Sequence, residues 1–215
     1  MARNMLFRLN LFVRHTCLFD LYHFLQQKSL VQKWHKSGHR TLTPHIIKQQ
    51  ILAEFAQRFN LQVLVETGTY RGDMVFALRN AFQKIYSIEL SADLCKKART
   101  RFSKFDHIEI WQGDSGSILP SLLKEIDKPC LFWLDSHYSS GITARGELET
   151  PIMKEISGIL GHPHAPRHVL LIDDARCFKG EGDYPALGLL KDFLAAAGYD
   201  HFEIRHDIIC CYKSS

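Results

Sequence analysis

Seven short apolar runs, separated by helical stretches and closing again and again on an acid or an amide, constrain this 215-residue chain more than any other feature. Residues 61–66, 84–89 and 108–112 come first, each followed by apolar residues at helical spacing. Residues 130–134 then run into Asp135, and residues 168–172 run into Asp173 and Asp174. Apart from His168, both runs are continuously apolar, the pattern of strands buried on two faces in a parallel sheet covered by helices. Residues 202–205 and 208–212 are separated by only two positions and so must pair as a hairpin, which puts an antiparallel strand at the sheet edge. An α/β fold follows: a mostly parallel seven-stranded sheet with an antiparallel last strand and helices on both faces.

A chain of this length holds one ordinary domain with a sizeable core. With 46% hydrophobic and 23% charged residues it has the composition of a globular protein, which excludes a disordered chain or a membrane bundle. The formal charge of +4 is unevenly placed: residues 1–40 carry seven Lys/Arg against Asp20 alone, and the rest carries 20 basic against 22 acidic residues, giving +6 and −2. We therefore read residues 1–42 as a basic helical extension and residues 43–215 as the domain proper, with a first helix over 44–59. The near-neutral domain argues against a nucleic-acid partner, because phosphate binding needs cations clustered at the site itself. Residues 5–13 are interrupted by Arg8 and Asn10 and are too short for a transmembrane segment. Leu18, Leu21, Tyr22 and Leu25 recur at helical spacing, suited to a homo-oligomer contact or to weak attachment at a membrane surface. The six cysteines show no C-x-x-C pair, which fits reduced thiols and a cytoplasmic location.

The most informative segment is Glu66-Thr-Gly-Thr-Tyr-Arg-Gly72, a carboxylate followed by glycines four apart at a strand-to-helix turn. Gly68 would let the backbone approach a ligand, Gly72 would let the helix start tight against its strand, and Glu66 would place an acceptor at the pocket mouth. A dinucleotide fingerprint wants glycine at position 66, so the acidic start suits a cationic cofactor without phosphate. Glu89 closes the second run 17 residues after Gly72, where a carboxylate can bind a ribose diol. Asp114, in Gln112-Gly-Asp-Ser115, can accept from an adenine amino group or cap the following helix.

These three segments resemble, in order, the successive motifs of class I S-adenosylmethionine-dependent methyltransferases, over residues 61 to about 213. That family has a Rossmann-like seven-stranded sheet whose last strand is antiparallel. The resemblance implies that Glu66, Thr67, Gly68, Tyr70 and Gly72 face the methionine part of S-adenosylmethionine, Glu89 its ribose, and Asp114 and Ser115 its adenine, with Asp135 beside it. It makes the chain an enzyme acting on a small-molecule acceptor.

Asp135, Asp173 and Asp174 lie at the ends of two strands expected to be neighbours, and three such carboxylates could bind Mg²⁺. This is similar to the metal-dependent small-molecule O-methyltransferases of catechol and macrocin type, although Asp174 stands where catechol-type enzymes usually have asparagine. His137 follows Asp135 at a position where a general base could take the acceptor proton, and Tyr138 could cover the pocket. Arg176 could pair with Asp174 or contact a substrate oxygen, and the pairing is the expected role. Two other classes fit the same α/β pattern: an NAD-dependent oxidoreductase, disfavoured by Glu66 and by the absence of a Tyr-x-x-x-Lys pair, and a cofactor-binding scaffold without catalysis.

Overall fold

The computed structural model describes residues 29–38, 42–136 and 150–214. The chain divides into two units, residues 1–48 and 49–215. In the first, residues 29–36 are helical. Helix α1 (His45–Arg58) crosses the boundary and buries Ile51, Leu52, Phe55 and Ala56.

In the second unit, strands β1 (Val63–Thr67), β2 (Lys84–Glu89), β3 (Ile108–Gln112), β4 (Cys130–Leu134) and β5 (Val169–Ile172) are all parallel where they pair. With β6 (His201–Arg205) and β7 (Ile208–Tyr212) they form one sheet in the order β3-β2-β1-β4-β5-β7-β6. The expectation of seven strands with an antiparallel ending is met, with one correction. The antiparallel strand β7 is not at the edge: it lies between β5 and β6, and β6 forms the rim. Burial explains the order. All five residues of Ile208-Ile-Cys-Cys-Tyr212 are buried, whereas β6 is largely exposed or half-buried, so the more apolar strand takes the inner place.

Helices α2 (Asp73–Leu78), α3 (Ala92–Phe102), α4 (Ser115–Leu122), α5 (Ile152–Leu160) and α6 (Leu187–Ala196) connect the strands. Leu119, Leu122, Ile156, Ile159, Leu190 and Leu194 of the last three pack with Val65, Phe132, Leu134 and Leu170 into one core. The alternate strand residues Leu64, Ile85, Leu131 and Leu171 are fully buried as well, as the apolar faces of α1, α2 and α3 require on the other side. Cys95, Cys130, Cys210 and Cys211 are buried free thiols within this unit. Among the described residues no helix is long and apolar enough to cross a membrane.

Candidate functional site

In a parallel sheet of this winding, ligands bind beyond the carboxyl ends of the strands where the order reverses, here between β1 and β4. The turn after β1 is tied to β2, since the Gly68 and Thr69 amides both donate to Ile88 O at 2.9 and 3.2 Å. On the other side the Asp135 amide donates to Thr67 O at 3.1 Å. Gly68, at φ 90°, is needed for a reason other than ligand approach: a Cβ there would stand 2.4 Å from the Asp135 carbonyl oxygen. Gly72 caps α2 in the left-handed region (φ 71°), and a Cβ on it would meet the Phe102 ring at 2.6 Å. It therefore sets α2 against α3. Tyr70 also takes the left-handed region (φ 49°) and is exposed, with Arg71 over its ring.

The structure turns Glu66 inward. Only 2% exposed, it accepts a short hydrogen bond at Oε2 from the Ser87 hydroxyl, whose oxygen also lies 2.5 Å from Thr69 Oγ1. Burial, augmented by the neighbouring charges of Asp135, Glu89 and Asp73, outweighs the Ser87 hydrogen bond and pushes the carboxyl up to about 8. The folded protein thus keeps a proton that the unfolded chain, with a carboxyl near its ordinary 4.5, gives up. This contribution to stability is full below about pH 4.5 and is lost as pH rises through 8. Between pH 5.5 and 8.5 the thermal midpoint is expected to fall, and Glu66→Gln to flatten that fall by an amount on the order of a few kcal/mol. Parallel melts of the two proteins check it; identical pH profiles would contradict the assignment.

Glu89 is fastened at both oxygens. Oε2 accepts from the Tyr70 amide at 2.7 Å and Oε1 from the Ser91 amide at 2.9 Å, while burial raises its pKa against those two bonds. It joins the β1 turn to the start of α3. Asp114 caps α4, Oδ2 accepting from the Ser117 amide at 3.0 Å and its hydroxyl at 2.8 Å, so the capping reading is realised. Ser115, beside it, is buried.

Strands β4 and β5 are neighbours as expected, and the Asp173 amide donates to Leu134 O at 3.0 Å. Asp173 and Asp174 are each 5% exposed. Asp174 sits in the left-handed region and is bound at Oδ1 by Arg176 at 2.6 Å, the pairing expected from sequence; Arg176 also makes a short ion pair with Asp207. Among the described residues, no three acidic or other metal-binding side chains converge closely enough to hold an ion. With Asp174 held by a guanidinium, the trio Asp135, Asp173 and Asp174 does not fit a resident divalent cation. His137, Tyr138 and the segment up to Glu149 lie outside the described residues, as do Cys17 and the apolar positions 18–25.

Three side chains absent from the sequence reading belong here. Ser87, in the middle of Ile85-Tyr-Ser-Ile-Glu89, holds Glu66. Tyr184 carries a pKa raised mainly by burial, and feels Asp174 and Asp135 as well as a hydrogen bond to Thr150. Glu155 of α5 is fully buried and accepts from the Ser136 hydroxyl at 2.5 Å.

The strand order is that of class I methyltransferases, and solved structures of that class superpose on the chain. The SAH-bound methyltransferase PaMTH1 of Podospora anserina does so with a TM-score of 0.55 at 15% identity, over 86% of this chain and 88% of that one. The O-methyltransferase TomG of Streptomyces achromogenes, involved in tomaymycin synthesis and solved with SAM, gives 0.57 at 15%, over 87% and 89%. An O-methyltransferase from Bacillus cereus in complex with SAH gives 0.53 at 13%, over 87% and 90%. The chain therefore has the class I methyltransferase fold. In sequence it is 25% identical over 146 residues to ribosomal RNA small subunit methyltransferase A of Rippkaea orientalis, 68% of this chain, and it spans 49% of that relative's length. No family profile matches the chain.

Proposed function

We propose that this protein is an S-adenosylmethionine-dependent methyltransferase, and that its acceptor is a small hydroxylated molecule methylated on oxygen. One observation carries the cofactor reading: the charges bearing most on the buried Glu66 at the switch point are carboxylates, Asp135 and Glu89, while Asp73, which bears on it less, is paired with Arg101. A pocket of that sign favours a ligand with a sulfonium and an ammonium and opposes the pyrophosphate of NAD. Bound there, S-adenosylmethionine supplies a methyl group on a cationic sulfur. Glu89, fixed by two backbone amides, presents its remaining lone pairs to a ribose diol. Asp114 and Ser115 stand at the adenine side, and Glu66, Thr67, Gly68, Tyr70 and Gly72 form the turn around the methionine part.

Methyl transfer to a hydroxyl forms a carbon–oxygen bond, breaks the carbon–sulfur bond and releases one proton from the acceptor. His137 and Asp135 are the candidates to take that proton. The O-methyltransferase neighbours support oxygen as the methylated atom. The sequence likeness to a ribosomal RNA methyltransferase favours RNA as a second acceptor, against which stands the net charge of −2 beyond residue 40. Titration calorimetry with S-adenosylmethionine and with NAD tests the first step: binding of NAD alone would overturn the proposal. Product analysis with methyl-labelled cofactor, on phenolic and sugar acceptors and on ribosomal RNA, decides the second.

Because Arg176 occupies Asp174, magnesium assistance is not favoured by this geometry. Turnover is expected to persist in EDTA to within about twofold. Loss of activity in the chelator, restored by added Mg²⁺, would reinstate the metal.

A further inference from the structure

Helix α5 buries Ile152, Glu155, Ile156 and Ile159, a stripe at positions i, i+3, i+4 and i+7 that faces the core. Three members are isoleucine. The fourth is a carboxylic acid with no exposure at all. Burying such a group is costly unless it is satisfied, so its surroundings carry information.

Those surroundings are the three loops assigned above to the cofactor. Ser136, directly after Asp135, donates its hydroxyl to Glu155 Oε1 at 2.5 Å. The hydroxyls of Ser115, first residue of α4, and of Thr67, last residue of β1, also act on the carboxyl, and the charge of Asp114 reaches it. Glu155 Oε2 and Thr67 Oγ1 are nonetheless left without a partner of full hydrogen-bond geometry, so the cluster has spare capacity at the turn after β1. The first turns of α4 and α5 are in close contact: a Cβ on Gly116 would lie 3.1 Å from the Cβ of Lys154 and 3.3 Å from that of Pro151.

We infer that Glu155 is a positioning residue for the cofactor, holding the exits of β1 and β4 and the start of α4 in the arrangement that S-adenosylmethionine binds. This rests on the proposed function. Glu155 touches no ligand in this scheme; it acts through Ser136, Ser115 and Thr67. A residue of merely structural importance would affect folding and binding together, whereas this one separates them.

Glu155→Leu completes the isoleucine stripe and removes a buried acid but leaves the Ser136 hydroxyl without its acceptor, so the two effects offset: the thermal midpoint is expected to stay near wild type while S-adenosylmethionine binding weakens at least tenfold by calorimetry. Glu155→Gln, which keeps the acceptor for Ser136, should stay within about threefold of wild type. Ser136→Ala should weaken binding severalfold, and it decides the matter if the leucine variant does not fold. Leucine or Ser136→Ala variants that fold and bind within twofold of wild type would overturn the inference and leave the methyltransferase reading intact. A wild-type chain that binds no S-adenosylmethionine would remove both.

Discussion

Replacing Gly68 with alanine is expected to abolish cofactor binding and to cost about 3 kcal/mol or more of stability, the largest effect of any single methyl group in the site. The added Cβ would stand 2.4 Å from the Asp135 carbonyl oxygen, 3.0 Å from its carbonyl carbon and 3.3 Å from Ser136 Cα. All three are backbone atoms, so no rotamer change relieves the contact. The backbone at φ 90° adds its own penalty for any residue with a side chain. β4 would have to move away from β1, breaking the Asp135 amide to Thr67 carbonyl bond that closes the switch point. A thermal melt should show a fall of about 10 °C. A melt within 2 °C of wild type would mean that the two strand exits are further apart than described.

Glu89→Ala is the second large effect, and it falls on folding as well as on binding. The carboxylate accepts from two backbone amides, Tyr70 and Ser91, and each charge-assisted bond contributes about 1.5–3 kcal/mol. Without it the Tyr70 turn loses its anchor, and the ribose loses its acceptor. S-adenosylmethionine and S-adenosylhomocysteine should both bind about 100-fold more weakly, since the ribose is common to them. Glu89→Gln, which retains one acceptor oxygen, should fall near tenfold. Equal affinities for wild type and the alanine variant would move the ribose elsewhere.

The sheet was legible because its evidence is local. Runs such as Cys130-Leu-Phe-Trp-Leu134 announce burial on both faces, and the acids and glycines that follow the runs mark the ligand end. The neighbourhood of β4 and β5 was expected, but the place of the hairpin in the strand order was not legible. Pairing of β6 with β7 follows from their spacing, but which of the two meets β5 depends on relative burial across the whole sheet. The glycines at 68 and 72 were recognisable as special, yet their actual neighbours, Asp135 and Phe102, are 67 and 30 positions away and leave no local trace. Glu66 was expected at the mouth and lies inward, because Ser87 on the adjacent strand offers it a hydroxyl. Glu155 escaped notice for the opposite reason: in Met153-Lys-Glu-Ile-Ser157 an acid reads as a solvated helix residue. The aspartate trio was expected at adjacent strand ends, and Asp174 there forms an ion pair with Arg176, two positions on.

The inner place of β7 also governs when the fold can finish. Leu171 leaves the ribosome 39 positions before its partner Cys210, so the open edge of β5 waits for about 2–8 s at ~5–20 residues per second before it can be covered. During that interval an apolar strand, Val169-Leu-Leu-Ile172, offers its unpaired amides and carbonyls to any passing chain.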